Sequence, residues 1–201
     1  MATPDDGGAD GRRRKYLEQA TKYRDIDGFL FDRLGRLLDL PNPGMMAIER
    51  SGIIEGADFY SEMLEDSRGA RESYFSGLDD FAPSNSLVFF DPDNGLEIKS
   101  VPKGRKNCSK FLFLDELQAS AGEGRTIIVY QHFGRVQRDP YTEVQLDRIK
   151  SVLPGRRLFA LAGSHIAFLV AATPAHASAL RQAADQLSDR WSTIKVVDAA
   201  A

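Results

Sequence analysis

A single cysteine, Cys108, stands among 201 residues. That excludes an intrachain disulfide and a cysteine-rich zinc site, and it suits a reducing, cytoplasmic setting. Long apolar runs are missing too. The longest, Ile166 to Ala172, has seven residues, against the roughly 20 that a membrane-spanning helix needs. The opening Met1-Ala2-Thr3-Pro4-Asp5-Asp6 lacks the apolar stretch of a secretion signal. Histidine is scarce: His132, His165 and His176 show no metal-ligand spacing with each other or with Cys108, so no metal site is expected. Nor is there an excess of one charge, since 26 Lys and Arg face 29 Asp and Glu for a net charge of −3. A nucleic-acid partner would therefore have to meet a local basic patch, because the whole chain is no polycation. No internal repeat stands out, and the composition does not specify an oligomeric state.

What is present suffices for one sizeable core. With 42% hydrophobic residues, the chain is expected to form a single domain over 1–201, with 1–24 as a flexible N-terminal loop. The most informative stretch is Leu87-Val88-Phe89-Phe90-Asp91-Pro92-Asp93-Asn94-Gly95. A short apolar run bounded by turn residues reads as a strand buried on both faces of a parallel sheet. Ligands of open α/β sheets bind at the carboxyl ends of such strands, which is where Asp91 and Asp93 fall.

In chain order, residues 3–11 are rich in glycine and aspartate and are followed by Arg12-Arg13-Arg14-Lys15. They read either as a solvated, disordered start or as a binding loop whose glycines let backbone approach a ligand. Asp25 or Asp27 caps a helix carrying Leu30, Leu34, Leu37 and Leu38, stopped by Pro41-Asn42-Pro43-Gly44. Met45 to Ile54 reads as a short helix, Ala57 to Glu62 as a strand, and Arg71 to Phe81 as a helix before the 86–91 strand. Beyond it lies a basic stretch with Lys99, Lys103, Arg105, Lys106 and Lys110, then a helix near 111–120 and a strand over 125–130. A helix from Tyr141 to Leu153 precedes a hairpin of 158–162 and 166–171 around Gly163-Ser164-His165. Thr173-Pro174 opens the last helix, and 194–197 closes the chain as a strand. The alternation predicts an α/β fold, a doubly wound, mostly parallel sheet with an antiparallel C-terminal hairpin and helices on both faces, in three α/β/α layers.

The order of elements, the Asp91-Pro92-Asp93-Asn94 motif and the late hairpin together resemble the class I methyltransferases that use S-adenosylmethionine. In that Rossmann-like family the fourth strand commonly ends in an Asp-Pro-Pro-Tyr type motif when the target is an exocyclic amine of a base. The longer string Phe89-Phe90-Asp91-Pro92-Asp93-Asn94-Gly95-Leu96-Glu97, with Tyr130-Gln131-His132-Phe133 after the next strand, also resembles a group of bacterial and phage proteins. Those are similar to methyltransferase-like partner proteins of mobile elements and to ribosomal-RNA adenine methyltransferases. The resemblance implies S-adenosylmethionine as cofactor, with Asp5, Gly7, Gly8 and Asp10 in its loop and Glu62, ending the second strand, on its ribose. It implies Asp91 as acceptor of the amine hydrogens, with Pro92, Asp93 and Asn94 shaping or polarising the site. No tyrosine occupies the fourth motif position, and the family's first strand, ahead of the glycine-rich loop, has no counterpart. An upstream helix and strand are therefore expected.

Independently of any family, methylating an amine requires its lone pair to face the methyl carbon, and a carboxylate that accepts the amine hydrogens orients it. The basic stretch Lys99, Lys103, Arg105, Lys106 and Lys110, just past the motif, is a solvated loop or a phosphate-contacting one, with Arg135 and Arg138 lining the same crevice. Two other functions fit the letters. One is a non-catalytic, methyltransferase-like interaction protein of a mobile-element or defence system. The other is a metal-dependent nuclease using Asp91, Asp93 and Glu97, although only three residues separate Asp93 from Glu97.

Overall fold

The computed structural model describes residues 1–3, 15–40, 45–122, 124–134 and 138–200. The chain divides into two compact units, one made of Met1–Pro4 and Ser61–Ala201, the other of Asp5–Tyr60. The smaller unit is helical, with α1 (Ala20–Tyr23), α2 (Gly28–Leu38) and α3 (Met45–Arg50). Asp27 caps α2, its carboxylate accepting the Leu30 N–H at 2.9 Å, as a residue of that type does where helical N–H groups lack partners. Arg24 grips the Asp32 carboxylate through two hydrogen bonds of 2.9 Å. No residue of α2 is fully buried.

The larger unit carries the sheet. Its elements are α4 (Arg68–Phe81), β1 (Leu87–Phe90), β2 (Gly95–Leu96), β3 (Phe111–Leu112), α5 (Leu114–Ala121), β4 (Thr126–His132), α6 (Arg138–Val152), β5 (Arg157–Ala162), β6 (Ile166–Ala172), α7 (Pro174–Arg190) and β7 (Lys195–Asp198). Five strands form one sheet in the order β1-β4-β6-β5-β7, while β2 and β3 pair in parallel apart from it. β1 runs parallel to β4, with Phe90 opposite Val129. The hairpin forms over the residues its pattern predicts, and β6 inserts antiparallel between β4 and β5. β7 pairs antiparallel with β5.

Alternation assigns the two faces. Ile127, Val129, Leu169 and Ala160 are buried on one face, where Gln131 of β4 meets Tyr141 of α6. On the other, Phe159, Val170 and Ala172 form a core with Ala184 of α7, with Leu180 and Ile128 packed around it. Helices thus cover both faces, and the α/β class follows. Arg125 ties the end of α4 to the start of β4, donating to the Asp79 carboxylate, the Pro83 carbonyl and the Ser120 carbonyl.

Three expectations are corrected. The sheet is mixed, not mostly parallel: β1, β4 and β5 share a direction, yet of its four strand pairings only β1–β4 is parallel. The reason is the hairpin, whose return strand takes the place beside β4. The 87–90 strand is consequently not buried on both faces. It is an edge strand of this sheet, Leu87 and Phe89 are 45% and 50% exposed, and only Phe90 is buried. Finally, residues 57–62 form no strand. Among the described residues, pairing nearby is one parallel bridge between Ala2 and Met63.

Candidate functional site

Asp91-Pro92-Asp93-Asn94 links β1 to β2, and the shape of that link is set by Gln131. Its Oε1 accepts the Leu96 N–H at 2.9 Å, and its Nε2 lies 3.1 Å from the Asn94 carbonyl, the His132 carbonyl and the Tyr141 hydroxyl. Gln131 is almost fully buried, so these bonds satisfy an amide that water cannot reach. Gly95 has φ +100°, and a Cβ there would fall 2.4 Å from the Gln131 amide. Both facts require glycine at this turn. The link is fastened at its far side as well, with Asn94 N–H donating to the Lys110 carbonyl at 3.0 Å and Glu97 N–H to the Leu112 carbonyl at 2.9 Å. Burial raises the Tyr141 hydroxyl above the usual tyrosine range, against the opposing pull of Arg148 and Gln131.

Four segments meet at the carboxyl end of β1. The Met1 amino group donates to the Asp91 carbonyl at 3.3 Å, and the Thr3 hydroxyl lies 3.5 Å from the Asp93 carboxylate. The Lys110 ammonium sits 3.9 Å from the same carboxylate. Leu64 N–H donates to the Ala2 carbonyl at 2.8 Å, beside the Ala2–Met63 bridge. Asp91 reaches the surface, but protein packed on one side strips solvent from its carboxyl and raises it above the usual carboxylate range. The neighbouring amino group lowers it, and the like charge of Asp93 raises it further.

The basic stretch is not simply a solvated loop, because a buried network holds it from beneath. Arg71 of α4, 1% exposed, binds both Glu116 oxygens at 2.8 and 2.7 Å and reaches the Cys108 and Phe111 carbonyls at 2.9 and 3.0 Å. Asp66 accepts the N–H groups of Asn107 and Ser109, each at 2.8 Å. Burial works to raise its carboxyl, but the hydrogen bonds from Ser109 and Asn107 prevail and hold it below the usual range. Lys103 turns inward to Asp115 and Glu116. Lys99, Arg105 and Lys106 are exposed.

Other expected residues are placed differently. Glu62 is exposed and ends no strand, lying one residue before the Met63 bridge. Asp5, Gly7, Gly8, Asp10 and Arg135 lie outside the described residues, and of Arg138 only the backbone, opening α6, is described. The nuclease arrangement is not assembled: Asp91, Asp93 and Glu97 form no metal-holding group, none of three or more such side chains occurring among the described residues. The Glu97 carboxylate lies instead 3.5 Å from Arg148, whose guanidinium also donates to the Glu97 carbonyl at 2.9 Å.

Reading the sequence missed Arg71, Glu116, Asp66 and Tyr141, none of which sits in a spacing that advertises a role. The positive φ of Gly95 was foreshadowed by the Asp93-Asn94-Gly95 turn signal. No helix among the described residues is long and apolar enough to cross a membrane. No protein-family model matches the chain, and neither a curated protein nor a solved structure is significantly similar to it.

Proposed function

We propose that the chain is an S-adenosylmethionine-dependent methyltransferase-like protein acting on a base amine of nucleic acid, with Asp91-Pro92-Asp93-Asn94 at its site. The observation that carries this reading is the meeting of residues 1–3 with Asp91 and Asp93 at the end of the parallel β1–β4 pair. In the sequence, Asp5, Gly7, Gly8 and Asp10 come shortly after Thr3. Within this reading the sheet is of the Rossmann-like, doubly wound type, with β1, β4 and β5 co-directional and the hairpin strand inserted.

When bound, the cofactor supplies an electrophilic methyl carbon. The chain's own residues supply position. The Asp91 carboxylate accepts the hydrogens of the target amine and so turns its lone pair toward that carbon. Asp93 is restrained by Thr3 and Lys110, and Gln131 fixes the turn that aims both. Glu62, one residue before the bridge to Ala2, is the candidate for the ribose hydroxyls.

Calorimetric titration of the chain with S-adenosylmethionine tests the reading. Saturable one-to-one binding, weakened by Gly8→Val, is expected; no heat of binding overturns it. One observation favours a non-catalytic interaction protein instead, namely the half-exposed Leu87 and Phe89 on edge strand β1, since exposed edges invite pairing with another chain. Absence of cofactor binding in the same titration would favour that alternative.

A further inference from the structure

Residues 98–114 include Lys99, Lys103, Arg105, Lys106 and Lys110 and no acid, although the chain as a whole has a net charge of −3. The structure sorts these cations by what they face. Lys103 is used internally, against Asp115 and Glu116 and over the Phe113 ring. Lys110 is engaged at Asp93. Lys99, Arg105 and Lys106 point to solvent, and none forms an ion pair with another described residue. A fourth cation joins them. Arg68, exposed at the start of α4, lays its aliphatic stem against Gly104, where an added Cβ would fall 2.8 Å from the Arg68 Cγ.

The backbone that displays them is already fixed. Arg71 holds the Cys108 and Phe111 carbonyls, Asp66 holds the N–H groups of Asn107 and Ser109, and the Cys108 thiol accepts from the Gly104 N–H at 3.3 Å and donates to the Asp66 carbonyl at 3.1 Å. Little main-chain freedom remains to be lost on binding, which favours affinity. The loop then ends at Lys110, beside Asp93. Cations on a rigid turn that leads to hydrogen-bond acceptors match the division of labour in nucleic-acid recognition, where phosphate contacts position and base contacts specify. A membrane surface fits less well, because these charges do not lie on the polar side of an amphipathic helix.

We propose that Arg68, Lys99, Arg105 and Lys106 form a phosphodiester-binding surface that leads nucleic acid to Asp91-Pro92-Asp93-Asn94. This rests on the nucleic-acid half of the proposed function and is independent of its methyl-transfer half. Fluorescence anisotropy with short labelled oligonucleotides of mixed sequence, single-stranded and duplex, over a series of salt concentrations, tests it. The full chain should bind with an affinity that falls linearly in log–log form. Each neutralised phosphate contributes about 0.9 to the slope on duplex and about 0.7 on single strand, so Arg68→Gln/Lys99→Gln/Arg105→Gln/Lys106→Gln should flatten it by about 3. Affinity at low salt should fall by about tenfold or more, since four phosphate-facing cations are removed together. Lys103→Gln should lower the melting temperature and leave the slope unchanged. No binding by the native chain, or an unchanged slope in the quadruple variant, overturns the proposal. So does competition by polyglutamate as effective as by nucleic acid, which would assign the surface to an acidic polypeptide. The calorimetric titration with S-adenosylmethionine reads the methyl-transfer half separately.

Discussion

The side-chain amide of Gln131 fills the place where a side chain on Gly95 would begin, 2.4 Å from an added Cβ. The site turn and strand β4 are therefore built around each other. Gly95→Ala meets two obstacles, a backbone at φ +100° and the amide itself. The backbone alone is worth about 1–3 kcal/mol, so urea denaturation should show a loss of at least that size. In Gly95→Ala/Gln131→Ala the steric part is relieved and the conformational part stays. The double variant should thus lose less than the sum of the singles, a non-additivity expected of residues in contact.

The buried pair Arg71–Glu116 fastens the basic loop to α4 and α5. Arg71→Ala strips the two-pronged donor from Glu116, which keeps Lys103 at 3.2 Å, and leaves the Cys108 and Phe111 carbonyls without it, at a cost of about 3–5 kcal/mol. Replacing both charges, as in Arg71→Met/Glu116→Leu, should recover part of that loss, because the buried carboxylate that lost its guanidinium is gone. The recovery stays incomplete, since the Phe113 N–H also loses the Glu116 oxygen it reaches at 3.1 Å. Chemical denaturation of the two variants measures the difference.

Asp66 makes stability depend on acidity in a stated direction. Its folded value lies below the usual range, and its unfolded value is about 3.9. Its contribution is therefore complete above roughly 3.9 and disappears as pH falls through the lower folded value. The stability gap between the native chain and Asp66→Ala should be constant near neutrality and narrow below about pH 4. A gap that widened in acid would contradict this assignment.

Phe89 and Phe90 are neighbours in sequence with opposite surroundings. Phe90 is buried, its ring 6.3 Å from that of Phe75, whereas Phe89 is half-exposed, touching Phe168 at 6.0 Å. Phe90→Ala should cost about 3–5 kcal/mol, and Phe89→Ala distinctly less. Equal losses would place β1 inside a sheet and not at its edge.

That pair also shows how much the sequence disclosed. Local signals were legible: Thr173-Pro174 starts α7, Gly163-Ser164-His165 turns the hairpin, and Asp27 caps α2. Neighbour relations were not. An unbroken run such as Leu87-Val88-Phe89-Phe90 looks the same whether one or two strands flank it, so its edge position waited on where β6 inserts. At the candidate site, the turn chemistry that follows a strand marks the link from Asp91 through Asn94, and the structure shows that link between β1 and β2. Gln131, Arg71 and Asp66 act through contacts 35 to 45 residues away in the chain, and no local periodicity encodes such partners. Lys103 looked like its neighbours in the basic stretch, and only the fold separates it from Arg105 and Lys106.

The central claim concerns the Asp91 carboxylate, and transfer of a labelled methyl group from S-adenosylmethionine to nucleic acid measures it most directly. The native chain should transfer label at a rate that rises with pH through a midpoint above the ordinary aspartate value of about 3.9, because only the ionised carboxylate accepts both amine hydrogens and its range is raised. Asp91→Asn should abolish transfer while keeping the native melting temperature and cofactor binding. Transfer by Asp91→Asn at the native rate, or none by the native chain once cofactor is bound, would contradict the account.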